Sequence, residues 1–334
     1  MSSDKSSVKN ILIITLSNLG DIILTTPVLT KLHEEFPDAK IDVITGSVGE
    51  VIFNAHPAVR EIIPDKRSRN FADRLGQVLQ LRKRRYDVAV DLKNSLIPYL
   101  IGAKFHSRLN LRQRANRHKK EEHLLKLSGL RVGSFQPEEL SYMLDADFFV
   151  PVLPEDKKYI DDLMPHDDQK RKVVVINAGA KSPLKRWGAD KYAHLADMLI
   201  RDFGCRIFLT GTDEDIETVK RVTSFMRETA TDLCCKTSVG ALAELMRRSS
   251  LVVTNDSAPL HIASAVNAPT IAIFGPFDEK KYGPLSEKKA IIKPHHFKCR
   301  PCNKPSCAKK LDDGCISTVE VEDVFLAAKK MLSE

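Results

Sequence analysis

At 334 residues, with 43% hydrophobic and 29% charged, the chain is too long for one core; it predicts two domains of about 150 residues each and argues against disorder beyond the first few residues. The polar opening MSSDKSSVKN lacks the apolar run of a signal peptide, and no later stretch reaches the ~18 uncharged apolar residues of a membrane span, so a soluble, cytoplasmic protein is expected. A formal charge of +8 and a pI near 9.0 favour an anionic partner, with the surplus in the runs 82–85 and 108–120, whereas an aromatic share of 6% without stacking residues between the cations argues against nucleic acid.

An apolar run at 11–16 breaks at Ser17-Asn18-Leu19-Gly20 and gives way to a helical pattern over 21–36, which predicts strand, turn and helix. A strand at 40–45, a helix at 71–85 and a strand at 86–92 follow. Residues 140–154 contain two prolines and lose periodicity, marking the start of a connection. The second half repeats the grammar: strand 172–177, helix 190–203, strand 206–210, helices 213–226 and 239–248, strand 251–254, helix 259–266 and strand 270–274. An amphipathic helix closes it over 319–332, with Val324, Ala327, Ala328 and Met331 on one face. Such alternation predicts an α/β protein of two doubly wound, Rossmann-like domains, each on a parallel sheet. The domains are read as 1–150 and 171–318, joined by a connection at 151–170 and followed by the helix segment 319–334. Ligands in such folds lie beyond the carboxyl ends of the strands, so the loops after Leu16, Asn177, Thr210, Thr254 and Phe274 are the candidates, facing a central cleft.

In the first loop Gly20 permits close approach, and Asp21 serves either as a first-turn helix acid or as a general base. The loop lacks Gly-x-Gly-x-x-Gly, which weakens a dehydrogenase reading. The second loop sets Gly179 and Ala180 before Lys181, Lys185, Arg186 and Trp187 at a helix entrance; small residues with cations there make an anion site suited to a diphosphate. No Gly-x-x-x-x-Gly-Lys-Ser/Thr is present, so P-loop hydrolysis has no support. Asp213 and Glu214 open a helix, where they act as caps or meet a ribose. At the fourth strand end Asp256 reads as an N-cap ahead of Pro259, and His261 one turn later is taken to face the same ligand space.

Cys299, Cys302, Cys307 and Cys315 leave two, four and seven residues between them within a Cys-rich loop at 295–315, a spacing that suits a structural zinc first and an iron–sulfur cluster or two disulfides second, against four free thiols. His295 and His296 are alternative ligands or simply exposed. No paired acids suggest a metal for catalysis, so no catalytic cofactor is expected.

Three ordered blocks, ILIITLSNLGDIILTTPVLTKLHEEFP, INAGAKSPLKRWGADKYAHLA and LVVTNDSAPLHIASAVNAPTIAIFGPFD, resemble glycosyltransferase family 9, the bacterial lipopolysaccharide heptosyltransferase family. The resemblance implies a GT-B fold, an ADP-heptose donor held by the C-terminal domain and an acceptor bound by the N-terminal one. It implies Asp21 as general base and Lys185 as the donor-phosphate lysine, with Gly179, Ala180, Lys181, Asp213 or Glu214, Asp256, the amides of Ser257 and Ala258, and His261 on the donor side. Asn18, Gly20 and Asp21, with Arg112 and Arg114 of the basic run, stand on the acceptor side. The family motif often has glycine where this chain has Ala258. Related members carry a similar cysteine cluster apart from the sugar chemistry, and in GT-B proteins the C-terminal helix packs back toward the N-terminal domain. The implied activity is inverting transfer of a heptose-type sugar to a lipopolysaccharide core or related anionic glycan or glycolipid. It would take place in the cytoplasm, with peripheral contact at the inner face of the inner membrane. The rivals are a GT-B transferase or epimerase using another nucleotide sugar, and a non-catalytic nucleotide-sugar or polyanion-binding protein.

Overall fold

A computed structural model describes residues 7–65, 71–109, 117–164, 171–304, 306–309, 311 and 314–333, and the chain divides into two units, Met1–Pro151 and Val152–Glu334. In the first unit β1 (Asn10–Ile14) leads to α1 (Leu19–Glu35), β2 (Lys40–Thr45), α2 (Ser47–Phe53), β3 (Val59–Pro64) and α3 (Phe71–Lys83). It continues with β4 (Val88–Asp91), α4 (Ile97–Leu100), β5 (Phe105–His106), α5 (Lys119–Leu124) and α6 (Leu140–Leu144). The five strands pair in parallel in the order β3-β2-β1-β4-β5.

Residues 11–14 are apolar and buried, as a central parallel strand covered on both faces requires. Helix α1 is buried almost all round and carries Pro27 in its interior, which removes the N–H that would bond the carbonyl of Ile23. The Thr26 hydroxyl donates to that carbonyl at 2.8 Å, so the helix keeps its acceptor satisfied. The buried Asp42 on β2 accepts from Arg60, Arg84 and Tyr86 at 2.7–3.0 Å and 2.6 Å, tying β2 to β3 and to the approach of β4.

The second unit begins with α7 (Pro154–Leu163) and runs through β6 (Val173–Asn177), α8 (Ala189–Phe203), β7 (Arg206–Thr210), α9 (Ile216–Phe225), β8 (Thr231–Asp232) and α10 (Val239–Arg247). It continues through β9 (Leu251–Asn255), α11 (Ala258–Ala265), β10 (Thr270–Ile273), α12 (Glu279–Tyr282), β11 (Lys289–Ile292) and α13 (Val321–Ser333). Its parallel sheet has the order β11-β10-β9-β6-β7-β8.

The segment read as a connection at 151–170 contains α7, which packs against α10: Asp156 accepts from Ser238 Oγ at 2.5 Å, and Arg248 pairs with Asp161 at 2.6 Å. The apolar face of α13, read as a core-packing stripe, is buried inside the C-terminal unit: Val321, Val324, Phe325, Ala328 and Leu332 join the core beneath α8, β9, β10 and β11. Lysines fasten this tail: Lys191 Nζ donates to the carbonyls of Ser317 and Val319 at 2.8 and 2.7 Å, and Lys172 Nζ to that of Leu332. No helix among the described residues is long and apolar enough to cross a membrane.

Candidate functional site

In an open parallel sheet the crevice for a ligand lies where consecutive connections leave in opposite directions. In the C-terminal unit that point falls between β6 and β9, whose following loops hold Lys185 and Asp256. The hub between them is Asn255, fully buried at the end of β9. Its amide nitrogen donates to the carbonyls of Ala178 and Gly179 at 2.9 and 3.2 Å, and its side-chain oxygen accepts from Trp187 N and Tyr192 OH at 3.2 and 2.9 Å. One side chain thereby fixes both ends of the loop after β6. Trp187 anchors the far end: its ring packs edge-on to Tyr192 at 4.8 Å, and its Nε1 donates to Val319 O at 2.9 Å.

Between these anchors Pro183–Lys185 forms a single 3-10 turn that points the Lys185 ammonium at Asp256 Oδ2, 2.7 Å away, and over the Phe277 ring at 4.1 Å. The Lys185 side chain is 22% exposed and that of Asp256 3%. Gly275 at the end of β10 makes this approach possible, since a Cβ there would stand 2.5 Å from the Leu184 carbonyl. Arg186 is turned inward, donating from Nε to Ala180 O at 2.6 Å, while Lys181 is exposed.

The reading of Asp256 as a helix cap is overturned. The N-cap of α11 is Ser257, with Pro259 in the first turn, and the Asp256 carboxylate faces Lys185 instead. Ser257 and Ala258 are partly exposed at the start of α11, where the first-turn amides of a helix have no intrahelical acceptor. His261 lies on the same helix but is buried. In the loop after β7 the buried acid is Asp215, which accepts from Thr212 N and Oγ1 at 3.0 Å each, leaving Asp213 and Glu214 exposed. Gly179 closes against Asp215: a Cβ on it would meet the carboxylate at 2.1 Å, so the loops after β6 and β7 touch only because this residue is glycine.

In the N-terminal unit the corresponding switch lies between β1 and β4. The N-cap of α1 is Asn18, exposed and making no side-chain cap bond; its Nδ2 donates to Asp21 Oδ2 at 3.2 Å. Asp21 is therefore not the cap. It is the first-turn acid of α1, and its half-buried carboxylate has no cation within ion-pair distance among the described residues. Gly20 is buried behind it, and a buried Thr15–Thr25 hydroxyl contact of 2.8 Å holds the start of α1 to the end of β1.

Sequence reading missed the loop after β4. Asp91 accepts from Lys93 N at 2.7 Å and Ser95 N at 2.5 Å, and the turn so formed holds Asn94 at φ 58°, a backbone region unusual for a side-chain-bearing residue. Asn94 Oδ1 and the Arg108 carbonyl, the latter at 3.2 Å, accept from Lys126 Nζ. Burial lowers the Lys126 pKa, Asp91 opposes that shift, and no carboxylate lies within ion-pair distance of this ammonium among the described residues. The signal that could have exposed this site was Asp91-Leu92-Lys93-Asn94-Ser95, an acid-led turn at a strand end. Arg112 and Arg114 lie outside the described residues.

The C-terminal thiols do not form the expected centre. Cys299 is exposed, Cys302 and Cys307 are partly exposed, Cys315 is buried, and all four are free. Among the described residues no three His, Cys, Asp or Glu side chains are gathered to hold a metal, so neither zinc, nor a cluster, nor two disulfides is supported.

Residues 74–311 match the sequence pattern of Glycosyltransferase family 9 (heptosyltransferase). Lipooligosaccharide heptosyltransferase 2 of Haemophilus influenzae is 30% identical, over 85% of this chain and 88% of its own. Lipopolysaccharide heptosyltransferase 3 of Escherichia coli K12 is 28% identical, over 94% and 96%. Among solved structures, the family 9 glycosyl transferase of Veillonella parvula aligns with a TM-score of 0.79 at 23% identity, covering 100% of this chain and 99% of that one, a likeness that carries the GT-B fold. A family pattern running from α3 into the cysteine loop leaves one assignment: the chain is a glycosyltransferase of family 9.

Proposed function

We propose that the chain transfers a heptose-type sugar, with inversion, from an ADP-activated donor to a lipopolysaccharide core or related anionic glycan. The observation that carries this reading is the Lys185–Asp256 pair at the β6/β9 switch point, beside the partly exposed residues Ser257 and Ala258 at the start of α11. A departing diphosphate needs a fixed cation and dispersed amide donors, and that corner supplies both. Curated relatives at 26–30% identity over most of the chain are named as heptosyltransferases, which supports the sugar class. The exposed Asp213 and Glu214 are the acids available to a ribose.

Asp21 takes the proton of the acceptor hydroxyl as the oxygen attacks the anomeric carbon. Attack from the face opposite the diphosphate breaks the sugar–phosphate bond and inverts the centre. Lys185 and the amides of Ser257 and Ala258 meet the charge that develops on the leaving ADP. No step needs a metal. A lipid-linked acceptor would bring the enzyme to the inner face of the inner membrane, in the cytoplasm.

The test is ADP release from purified protein given ADP-heptose and a core acceptor, with a UDP-sugar as control. Asp21→Asn should slow transfer by about 10²–10⁴-fold, the usual worth of a general base, and leave donor affinity unchanged. Release of UDP in place of ADP refutes the donor assignment; full turnover by the variant refutes the base.

A further inference from the structure

Outside the residues used above, the described residues include a pair of sequence-adjacent thiols whose sulfurs the backbone holds close. Cys234 and Cys235 are the central residues of the turn Leu233–Lys236 that follows β8, closed by Lys236 N donating to Leu233 O at 3.0 Å. Their sulfurs are 3.9 Å apart, one buried and one exposed. Cys235 holds φ at 60°, a left-handed conformation that a turn normally assigns to glycine. Strain of this kind is kept where the surroundings fix it, and here they do. Cys235 N donates to Gly211 O at 2.9 Å, Cys234 N to Asp232 Oδ1 at 2.8 Å, and the Cys234 thiol to Thr212 O at 3.3 Å.

The dithiol thus leans on Gly211 and Thr212, the residues that lead into Asp213 and Glu214. A Cβ on Gly211 would come within 3.2 Å of Cys234 Sγ, so no side chain separates that loop from the sulfur. We propose that Cys234 and Cys235 form a bidentate site for a trivalent arsenical on the strand-end edge read above as the nucleotide side of the donor site, and that its occupation and ADP binding exclude each other.

The chemistry balances without a redox partner. Phenylarsine oxide gives up its oxygen as water, taking one proton from each thiol, as two sulfur–arsenic bonds form; arsenic stays trivalent. The exposed Cys235 reacts first, and Cys234, which burial and the adjacent thiol keep protonated, closes the ring. A disulfide fits less well. An S–S bond of ~2.0 Å would draw the sulfurs to about half their present separation within a turn already fixed at φ 60°, whereas a bridging arsenic leaves them farther apart.

The experiment is titration of the full chain with phenylarsine oxide in excess 2-mercaptoethanol, read by intact mass and by peptide mapping. An adduct on the peptide holding both residues, resistant to the monothiol and removed by 2,3-dimercaptopropanol, is expected, as is its loss in Cys235→Ser with ADP binding retained. With ADP at about ten times its Kd, labelling should slow about tenfold. An adduct confined to Cys299, Cys302, Cys307 and Cys315, or one that survives in Cys235→Ser, overturns the site. Mapping on the unaltered chain decides this even if the variant fails to fold. Labelling that ADP leaves unchanged, while ADP binds, overturns the exclusion. Failure of ADP to bind at all counts against the donor assignment, and the mapped adduct is read independently of it.

Discussion

Replacing Lys185 by Met removes the ammonium but keeps an apolar chain against Phe277, so it isolates the charge. Asp256 is 3% exposed and would be left buried without its cation. Breaking a buried pair from one side costs about 3–5 kcal/mol; because Lys185 is itself 22% exposed, about 3 kcal/mol is the expected loss, read as urea unfolding of the C-terminal unit. Transfer should fall separately, by about 10²–10³-fold, the scale for removing one preorganised donor to a developing oxyanion. The two effects come apart in the double variant Lys185→Met with Asp256→Asn. Neutralising the carboxylate should return most of the stability, to within about 1 kcal/mol, because no buried charge is then stranded. Transfer should stay lost. The reasoning fails if the double variant regains turnover, since Lys185 would then serve only to neutralise Asp256. It fails equally if Lys185→Met is as stable as the parent chain.

If the Lys126 ammonium, which has no carboxylate partner among the described residues, meets an anionic acceptor, Lys126→Met should raise the acceptor KM about tenfold or more, the worth of one charge-assisted hydrogen bond, and leave the donor KM unchanged; equal changes in both would refute that role. His123, buried on α5, has its pKa lowered from 6.5 to about 3 by burial first and by Lys119 and Lys126 next. Below pH 6.5 the unfolded chain therefore binds a proton that the folded chain refuses: stability is full above 6.5 and drops by up to about 1.4 kcal/mol per pH unit toward 3. His56, lowered to about 4 by burial and then by His33, acts in the same direction. Urea unfolding at several pH values should show His123→Gln flattening this slope by the His123 share, and an unchanged slope refutes the assignment.

The central strands were legible because burial on both faces writes an unbroken apolar run, as in Ile11–Ile14 and Val173–Ile176. The edge strands β3 and β11 were not, since one side of each is open and Arg60, Glu61 and Lys289 sit within them. The candidate site divided in a similar way. The loops could be located from strand ends, and Asp21, Lys185 and Asp256 were named. Their partners could not be, because the choice between Asp256 as cap and as counter-ion depends on Asn255 gripping a loop 76 residues away in sequence. Asp215, rather than Asp213 or Glu214, became the buried acid for a comparable reason: Thr212 supplies two donors to it and Gly179 leaves it room. Lys126 lay beyond sequence reading altogether, since its interest comes from being half-buried beside carbonyl oxygens contributed by two other loops.

The burial of α13 within the core of the C-terminal unit sets an order of events during synthesis. The N-terminal sheet has its five described strands by His106 and can close early, but Trp187, at the corner of the loop that carries Lys185, waits for the carbonyl of Val319. Until translation has passed Leu332, that half of the enzyme exposes the apolar surface α13 is meant to cover. A ribosome stalled in the cysteine loop would therefore hold a closed N-terminal sheet joined to an unsealed C-terminal unit, a species for chaperones to hold rather than a slow enzyme.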